Sequence, residues 1–196
     1  MILIDGNLSC WSTNFISNRQ NTLINKLNSI FIGLDGGFAP WVGAVLSDID
    51  QQILLVVDEN RIDEAITRLS RVGFDNVKGY LKGGFSSWQN HGKEVAEIET
   101  VSANDFNNNY SSDNVNVFDV RKLTEYQSEH LLEAINIPLN NIHNFISDFN
   151  VDGENYIHCA GGYRSMIANS ILKSHGIHKL VAVSYTHLTL PTNREV

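Results

Sequence analysis

The stretch NYIHCAGGYRSMIANSILKSHGIHKLVAV (155–183) carries in turn the signals of a strand, a loop, a helix and a second strand. A short apolar run comes first, and Ile167, Ile171 and Leu172 then recur at helical spacing before Gly176. A glycine directly after a helical pattern is typical of a helix C-terminus. Two strands joined by a helix of this length predict a βαβ unit in a parallel sheet.

The same order of signals occurs about 103 residues earlier, in ILLVVDENRIDEAITRLSRVGFDNVKGY (53–80). In this alignment Arg61 pairs with Arg164, and Gly73, which pairs with Gly176, predicts the end of the helix in the first copy. A second pair of similar segments, SIFIGL (29–34) and AINIPL (134–139), lies at nearly the same separation. The chain is therefore predicted to contain two copies of one α/β module.

The segment between the copies, residues 93–114, is polar and rich in Asn and Ser, which is typical of a linker. We place the domain boundary between residues 95 and 96. The predicted architecture is α/β, with two tandem domains (1–95 and 96–183), each a parallel sheet with helices on both faces. Residues 184–196 are expected to form a tail that does not follow the sequence pattern of the module.

Charge and cysteine content narrow the classes of function. The net charge of −8 and the pI near 5.2 argue against binding to nucleic acid, which requires clustered Lys and Arg. The two cysteines, Cys10 and Cys159, have neither disulfide-framework nor metal-site spacing, so we expect a reducing compartment, the cytoplasm. A signal peptide pattern and an apolar run of about 18 residues are both missing from the sequence, so no membrane association is expected.

Cys159 stands where a predicted strand ends and a helix is about to begin, at the edge where α/β sheets bind ligands. Glycines in the loop allow it to curl, so that backbone N–H groups point at the sulfur, and the helix N-terminus adds partial positive charge. This setting favours the thiolate, a nucleophile that could also carry an extra sulfur as a persulfide. The predicted site is the nucleophile Cys159 with the substrate-binding loop residues Ala160, Gly161, Gly162, Tyr163, Arg164 and Ser165.

Several residues of this loop allow more than one interpretation. Arg164 could neutralise an anionic substrate or pair with a carboxylate at the loop edge, and both roles stay open. We expect the helix to begin at or just after Ser165, which would then be its N-cap. His158 is expected to be a core or edge residue, since neighbouring side chains in a strand point to opposite faces. Cys10 lacks a comparable context and is interpreted as a small apolar residue.

The motif CAGGYRS (159–165) and the stretch VNVFDVRKLTEYQSEHLLEAINIPL (115–139) resemble the rhodanese family of sulfurtransferases. The resemblance implies a persulfide on the loop cysteine. It also implies framework roles for Asp119, Arg121 and His130.

The first copy resembles the same family in GYLKGGFSSW (79–88), but it has Val56 where the alignment places Cys159. A first domain without a catalytic cysteine is therefore expected. GLDGGFAPWVGA (33–44) is more particularly similar to bacterial proteins in which a metallo-β-lactamase-fold persulfide dioxygenase precedes two rhodanese domains. That metal-bearing domain is expected to be absent here, because the seven histidines form no HxHxDH motif, and we expect neither metal nor other cofactor.

Both ends of the chain depart from the family pattern. Residues 1–28 do not match the family's opening, and SYTHLTLPTNREV (184–196) replaces the expected closing helix, so a second domain truncated at its C-terminus is predicted.

The favoured function is transfer of sulfane sulfur from thiosulfate or a low-molecular-weight persulfide to a thiol or other nucleophile, through a Cys159 persulfide. The expected partners are therefore a small-molecule sulfur donor and a thiol acceptor. A non-catalytic docking module is one alternative. A phosphatase or arsenate reductase is another, although such enzymes separate cysteine and arginine by five residues and this loop has four between Cys159 and Arg164.

Overall fold

The computed structural model describes residues 2–4, 22–24, 29–93, 95–102, 104–106, 115–184 and 192–193. The chain divides into two compact units, Met1–Glu97 and Ile98–Val196. The division lies two residues beyond the predicted boundary at 95/96. Cys10 and most of the atypical ends, 1–28 and 184–196, lie outside the described residues.

The first unit alternates strands and helices from residue 29 onward. Its strands are β1 Ile2–Ile4, β2 Thr22–Ile24, β3 Ser29–Ile30, β4 Ile53–Leu55, β5 Val77–Tyr80 and β6 Val95–Glu97. Its helices are α1 Phe38–Val45, α2 Ile62–Ser70 and α3 Gly84–Asn90, with a 3₁₀ turn at Glu59–Arg61.

The sheet of the first unit has the strand order β3-β1-β4-β5 and is mixed. Strands β4 and β5 are parallel, whereas β1 is antiparallel to both β3 and β4, and β2 pairs with β6 in a separate antiparallel ladder. The prediction of a parallel sheet in each unit is therefore wrong for this one. The cause lies in β1, which comes from residues 1–28, outside the strand–helix alternation that predicts parallel strands.

The second unit contains a parallel sheet, as predicted. Its strands are β7 Glu99–Ser102, β8 Val115–Asp119, β9 His130–Leu131, β10 Ile135–Asn136, β11 Glu154–His158, β12 Leu180–Ser184 and β13 Thr192–Asn193. Its helices are α4 Leu123–Ser128 and α5 Tyr163–Ser174, and a kinked 3₁₀ segment spans Leu139–Asp148. The order β10-β8-β11-β12-β7 is parallel throughout, and β13 pairs with β9 in a separate antiparallel ladder.

The core of the second unit forms where α5 packs against β11, β12 and the 3₁₀ segment. The apolar residues that recur at helical spacing in the sequence form the buried face of α5. Ile167, Ile171 and Leu172 are all fully buried. Ile157 of β11 and Val183 of β12 are also fully buried. Neighbouring strands that are buried in this way favour a parallel sheet covered by helices.

Glycines end the two corresponding helices in the same manner. After α5, Gly176 has φ +85°, and its N–H donates to Lys173 O (3.0 Å). After α2, Gly73 has φ +87°, and its N–H donates to Ser70 O (3.0 Å). A left-handed glycine with this bond is a common helix C-terminus, so the predicted stop signals are confirmed at both positions.

Candidate active site

Cys159 lies in the connection between β11, which ends at His158, and α5, which begins at Tyr163. Strands β8, β11 and β12 are parallel, and His158 is in register with Asp119 on one side and Val183 on the other. The carboxyl ends of these strands therefore meet at one edge of the sheet. Cys159 emerges at that edge, where α/β proteins commonly place reacting groups.

The sulfur of Cys159 is held by the loop that follows it. Its Sγ accepts backbone N–H bonds from Gly162 (3.1 Å) and Ser165 (3.4 Å), and it lies 3.6 Å from Ser165 Oγ. The residue is only 2% exposed. Two amide dipoles therefore converge on this buried atom, which is the arrangement that stabilises negative charge on sulfur.

The two loop glycines are not equivalent. Gly162 has φ +84° and is the N-cap of α5, a backbone conformation that residues with a side chain rarely adopt. Gly161 does not share this positive φ, and a Cβ added to it would meet nothing within 4 Å. The curl that turns the amides toward Cys159 therefore depends on Gly162.

Ser165 is not the N-cap, so that prediction is wrong. The left-handed turn at Gly162 lets α5 begin at Tyr163, earlier than expected, and places Ser165 inside the first helical turn. Its hydroxyl donates back to Gly162 O (2.9 Å), and its backbone N–H is one of the two donors to the sulfur. Through these two hydrogen bonds, Ser165 connects the first turn of α5 to the loop.

Arg164 is bound to a carboxylate. Its Nη1 lies 2.6 Å from Glu125 Oε2 and its Nη2 lies 2.8 Å from Oε1, a two-pronged pair between α5 and α4. Of the two roles left open for Arg164, the structure shows pairing at the loop edge. The hydrogen bonds from Arg164 are the main cause that lowers the pKa of Glu125 from 4.5 to about 2, and the same pairing raises the pKa of Arg164. The sequence assigned Glu125 no partner.

A second arginine, Arg121, stabilises the turn after β8 by hydrogen bonds. Arg121 Nη2 donates to Asp119 Oδ2 (2.6 Å) and to Glu129 O (2.7 Å). Asn136 Nδ2 donates to the backbone carbonyls of Asp119 (2.9 Å) and Arg121 (3.0 Å). Since Asp119 is completely buried, these contacts hold the turn next to the cysteine loop in one conformation.

Tyr126 and His130 support α4, which carries Glu125. Their rings are stacked with centroids 3.9 Å apart, and His130 Nδ1 lies 2.8 Å from Tyr126 O. The Tyr126 hydroxyl donates to Ala134 O (2.6 Å). These contacts fix α4 and therefore the position of the Glu125 carboxylate.

His158 belongs to the interior. It is 3% exposed, and its Nε2 lies 3.7 Å from Asp119 Oδ2, which is longer than a hydrogen bond. Burial is the main cause that lowers the pKa of His158 from 6.5 to about 4. The imidazole is therefore neutral near pH 7.

Residues 102–185 match the family model described as "Rhodanese-like domain". This match lies within the second unit, which therefore resembles a rhodanese-like domain. The Bacillus subtilis protein named "Putative sulfur carrier protein YrkF" is 32% identical over 103 residues, which cover 52% of this chain and 54% of the relative. A Gracilaria tenuistipitata var. liui protein named "Probable molybdopterin-synthase adenylyltransferase" is 36% identical over 89 residues, covering 43% and 25%. The chain thus spans about half the length of the first relative and a quarter of the second.

Solved structures also align with part of the chain. A rhodanese-related protein from Thermoplasma volcanium is 26% identical, with 44% of this chain and 84% of that chain covered and a TM-score of 0.40. A rhodanese-like domain protein from Staphylococcus aureus is 30% identical, with coverage of 44% and 83% and a TM-score of 0.40.

The first unit has no cysteine at the position that the repeat aligns with Cys159. Val56 stands there, 1% exposed, in an apolar cluster with Phe85 and Trp88. Within the described ranges, no three His, Cys, Asp or Glu side chains are grouped so that they could hold a metal ion.

The described part of the chain also contains no helix that is long and apolar enough to span a membrane.

Proposed function

We propose that the rhodanese-like domain is a sulfurtransferase that carries sulfane sulfur on Cys159 as a persulfide. The observation that carries this proposal is the pair of backbone N–H bonds from Gly162 and Ser165 to the Cys159 sulfur. Such donors stabilise a thiolate before the reaction and a terminal sulfur anion after it, at no cost of reorganisation. The N-terminus of α5 adds partial positive charge at the same place.

The proposed reaction has two displacements. The Cys159 thiolate attacks the outer sulfur of the donor, a new S–S bond forms, and the donor's own bond to that sulfur breaks with its electron pair. With thiosulfate as the donor the leaving group is sulfite, and with a hydropersulfide it is the thiolate R–S⁻. An acceptor thiolate then attacks the outer sulfur of the Cys159 persulfide and restores the cysteine thiolate, so no external oxidant or reductant is needed.

The comparisons support sulfur carriage in general, since one relative is named as a sulfur carrier protein.

We also propose that the first unit is a second, non-catalytic copy of the module. Its strand order β3-β1-β4-β5 matches the order β10-β8-β11-β12 of the rhodanese-like domain, although β1 is antiparallel to its neighbours and β8 is parallel to its own. A dioxygenase domain of metallo-β-lactamase fold is a proposed partner, on the basis of the sequence resemblance alone.

A non-catalytic docking module is the second candidate, because Cys159 is almost inaccessible at 2% exposure. Phosphatase or arsenate reductase activity is less well supported. The loop is one residue shorter than those enzymes require, and the arginine that would bind the oxyanion is already bound to Glu125.

The test is an intact-mass spectrum of the full chain after treatment with thiosulfate or with a hydropersulfide. We expect a gain of one sulfur atom that a reductant removes. Cys159→Ser should abolish the gain, and Cys10→Ser, which removes the chain's other cysteine, should keep it. A gain that persists in Cys159→Ser, or no gain with either donor, would refute the proposal and favour the docking module.

A further inference from the structure

The cysteine loop has only one cationic side chain to offer a substrate. Residues 159–165 contain Arg164 and no other Lys or Arg. Both of its terminal nitrogens are engaged by the two carboxylate oxygens of Glu125, at 2.6 and 2.8 Å. The Arg164 side chain is only 16% exposed. The loop therefore presents a neutral ion pair where a single arginine would have presented a positive charge.

The first unit also has an arginine bound by carboxylates, but it has no cysteine in the corresponding loop. Arg61, aligned with Arg164, is bound by Asp35 Oδ1 at 2.8 Å and by Glu64 Oε2 at 2.8 Å. Because Val56 replaces the cysteine in that loop, no sulfur donor reacts there. An arginine paired with carboxylates is thus part of how both loops are built, which supports a positioning role for Arg164.

The two donor classes differ in the charge they bring to the sulfur. Thiosulfate is a dianion, so its attack by a thiolate gathers three negative charges in the loop. A hydropersulfide with an uncharged body brings no charge, or one when ionised. The helix N-terminus offers roughly half an elementary charge in compensation. The chain's net charge of −8 adds further repulsion against a dianion.

We propose that Glu125 determines donor class: by occupying Arg164 it disfavours dianionic donors such as thiosulfate and leaves hydropersulfides as the preferred substrates of Cys159. This inference rests on the proposed sulfurtransferase function. In the favoured step, Cys159–S⁻ and R–S–SH give Cys159–S–SH and R–S⁻, so that one S–S bond forms and one breaks. Glu125 touches no reacting atom and acts through Arg164.

The experiment compares single-turnover sulfur loading of the full chain, followed by intact mass, with thiosulfate and with the hydropersulfide of N-acetylcysteamine. The readout is the ratio of the thiosulfate to the hydropersulfide rate constant. We expect a wild-type ratio below about 0.1, and Glu125→Gln should raise it at least about tenfold, because the attraction between one cation and a dianion at about 4 Å is worth that much even at an effective dielectric constant of about 80.

The charge-matched control is the double variant Glu125→Gln/Arg164→Gln, which removes both charges and is as neutral as the native pair. Its ratio should return to within about threefold of wild type, although both rates can fall together through loss of the pair. If the double variant keeps the raised ratio, the charge of Arg164 is not responsible and the inference is wrong. A merely structural role for Glu125 would lower both rates and leave the ratio of the single variant unchanged.

The wild-type protein provides a test that does not depend on the folding of any variant. Raising salt from about 0.05 to about 0.5 M should accelerate loading from thiosulfate, because screening weakens repulsion. Slower loading at high salt would indicate attraction and overturn the inference. Equal loading from both donors refutes the inference alone, whereas loading from neither donor refutes the sulfurtransferase function itself.

Discussion

Replacing Gly162 with alanine tests the loop geometry that the candidate site depends on. At φ +84° and ψ −24°, an alanine side chain crowds its own backbone, which costs about 1–2 kcal/mol in the left-handed region. Gly161→Ala is the matched control in the same loop. Its added Cβ meets nothing within 4 Å and its φ is not positive, so we expect no loss, or a gain of about 0.4–1 kcal/mol from a less flexible unfolded chain.

The assay is urea unfolding of both variants followed by far-ultraviolet circular dichroism. Tryptophan fluorescence would be the wrong probe, because Trp11, Trp41 and Trp88 all belong to the first unit. We expect the free energy of unfolding of Gly162→Ala to be lower than that of Gly161→Ala by about 1–3 kcal/mol. In thermal unfolding, a loss of about 1 kcal/mol corresponds to a shift of about 4–8 °C for a domain of this size.

Equal stability of the two variants would refute this account of the loop. It would mean that the backbone at Gly162 relaxes to negative φ without cost, and the N–H bonds to the sulfur would then need another origin. A loss confined to Gly161→Ala would contradict the structure directly.

Three further predictions concern groups around the loop. The pKa of Glu125 is lowered to about 2, so its contribution to stability is complete above about pH 4.5 and is lost as the pH falls toward 2; Glu125→Gln should therefore flatten the pH dependence of the urea midpoint in that range, and an unchanged slope would contradict the ion pair. The pKa of His158 is likewise lowered, so the nuclear magnetic resonance titration of its ring should have a midpoint near 4, and a midpoint near 6.5 would show an exposed imidazole. Tyr126→Phe removes the hydrogen bond to Ala134 O and should lower the free energy of unfolding by about 1 kcal/mol in denaturant titrations, whereas an unchanged value would mean that water donates to Ala134 O in place of the Tyr126 hydroxyl.

Structural features that depend on residues close together in the chain could be predicted from the sequence. The alternation of apolar strands with the helical stripe of 167–172 predicted the parallel sheet of the second unit, and Gly73 and Gly176 predicted two helix ends. The position of Cys159 between strand and helix followed from the same local signals. Each of these depends on contacts within a few residues of the chain, where spacing determines geometry.

Features that depend on distant residues could not be read in this way. Arg164 and Glu125 are 39 residues apart, and no local pattern says which carboxylate an arginine meets. The direction of β1 depends on pairing with β3 and β4, for which residues 2–4 carry no signal of orientation. The predicted N-cap at Ser165 is wrong because the left-handed turn at Gly162 starts α5, and no serine hydroxyl caps it.

A comparison of the two loops separates the parts that build the turn from the part that would perform chemistry. In the first unit Arg61 is held by carboxylates even though Val56 replaces the cysteine. Residues 56–61, all of them described, contain no glycine and no positive φ, and the chain makes a 3₁₀ turn at Glu59–Arg61 instead. An arginine can therefore be retained without an anion cradle. The proposed sulfur carriage therefore depends on Cys159 together with Gly162, because the turn at Gly162 directs the amide groups of Gly162 and Ser165 toward the sulfur.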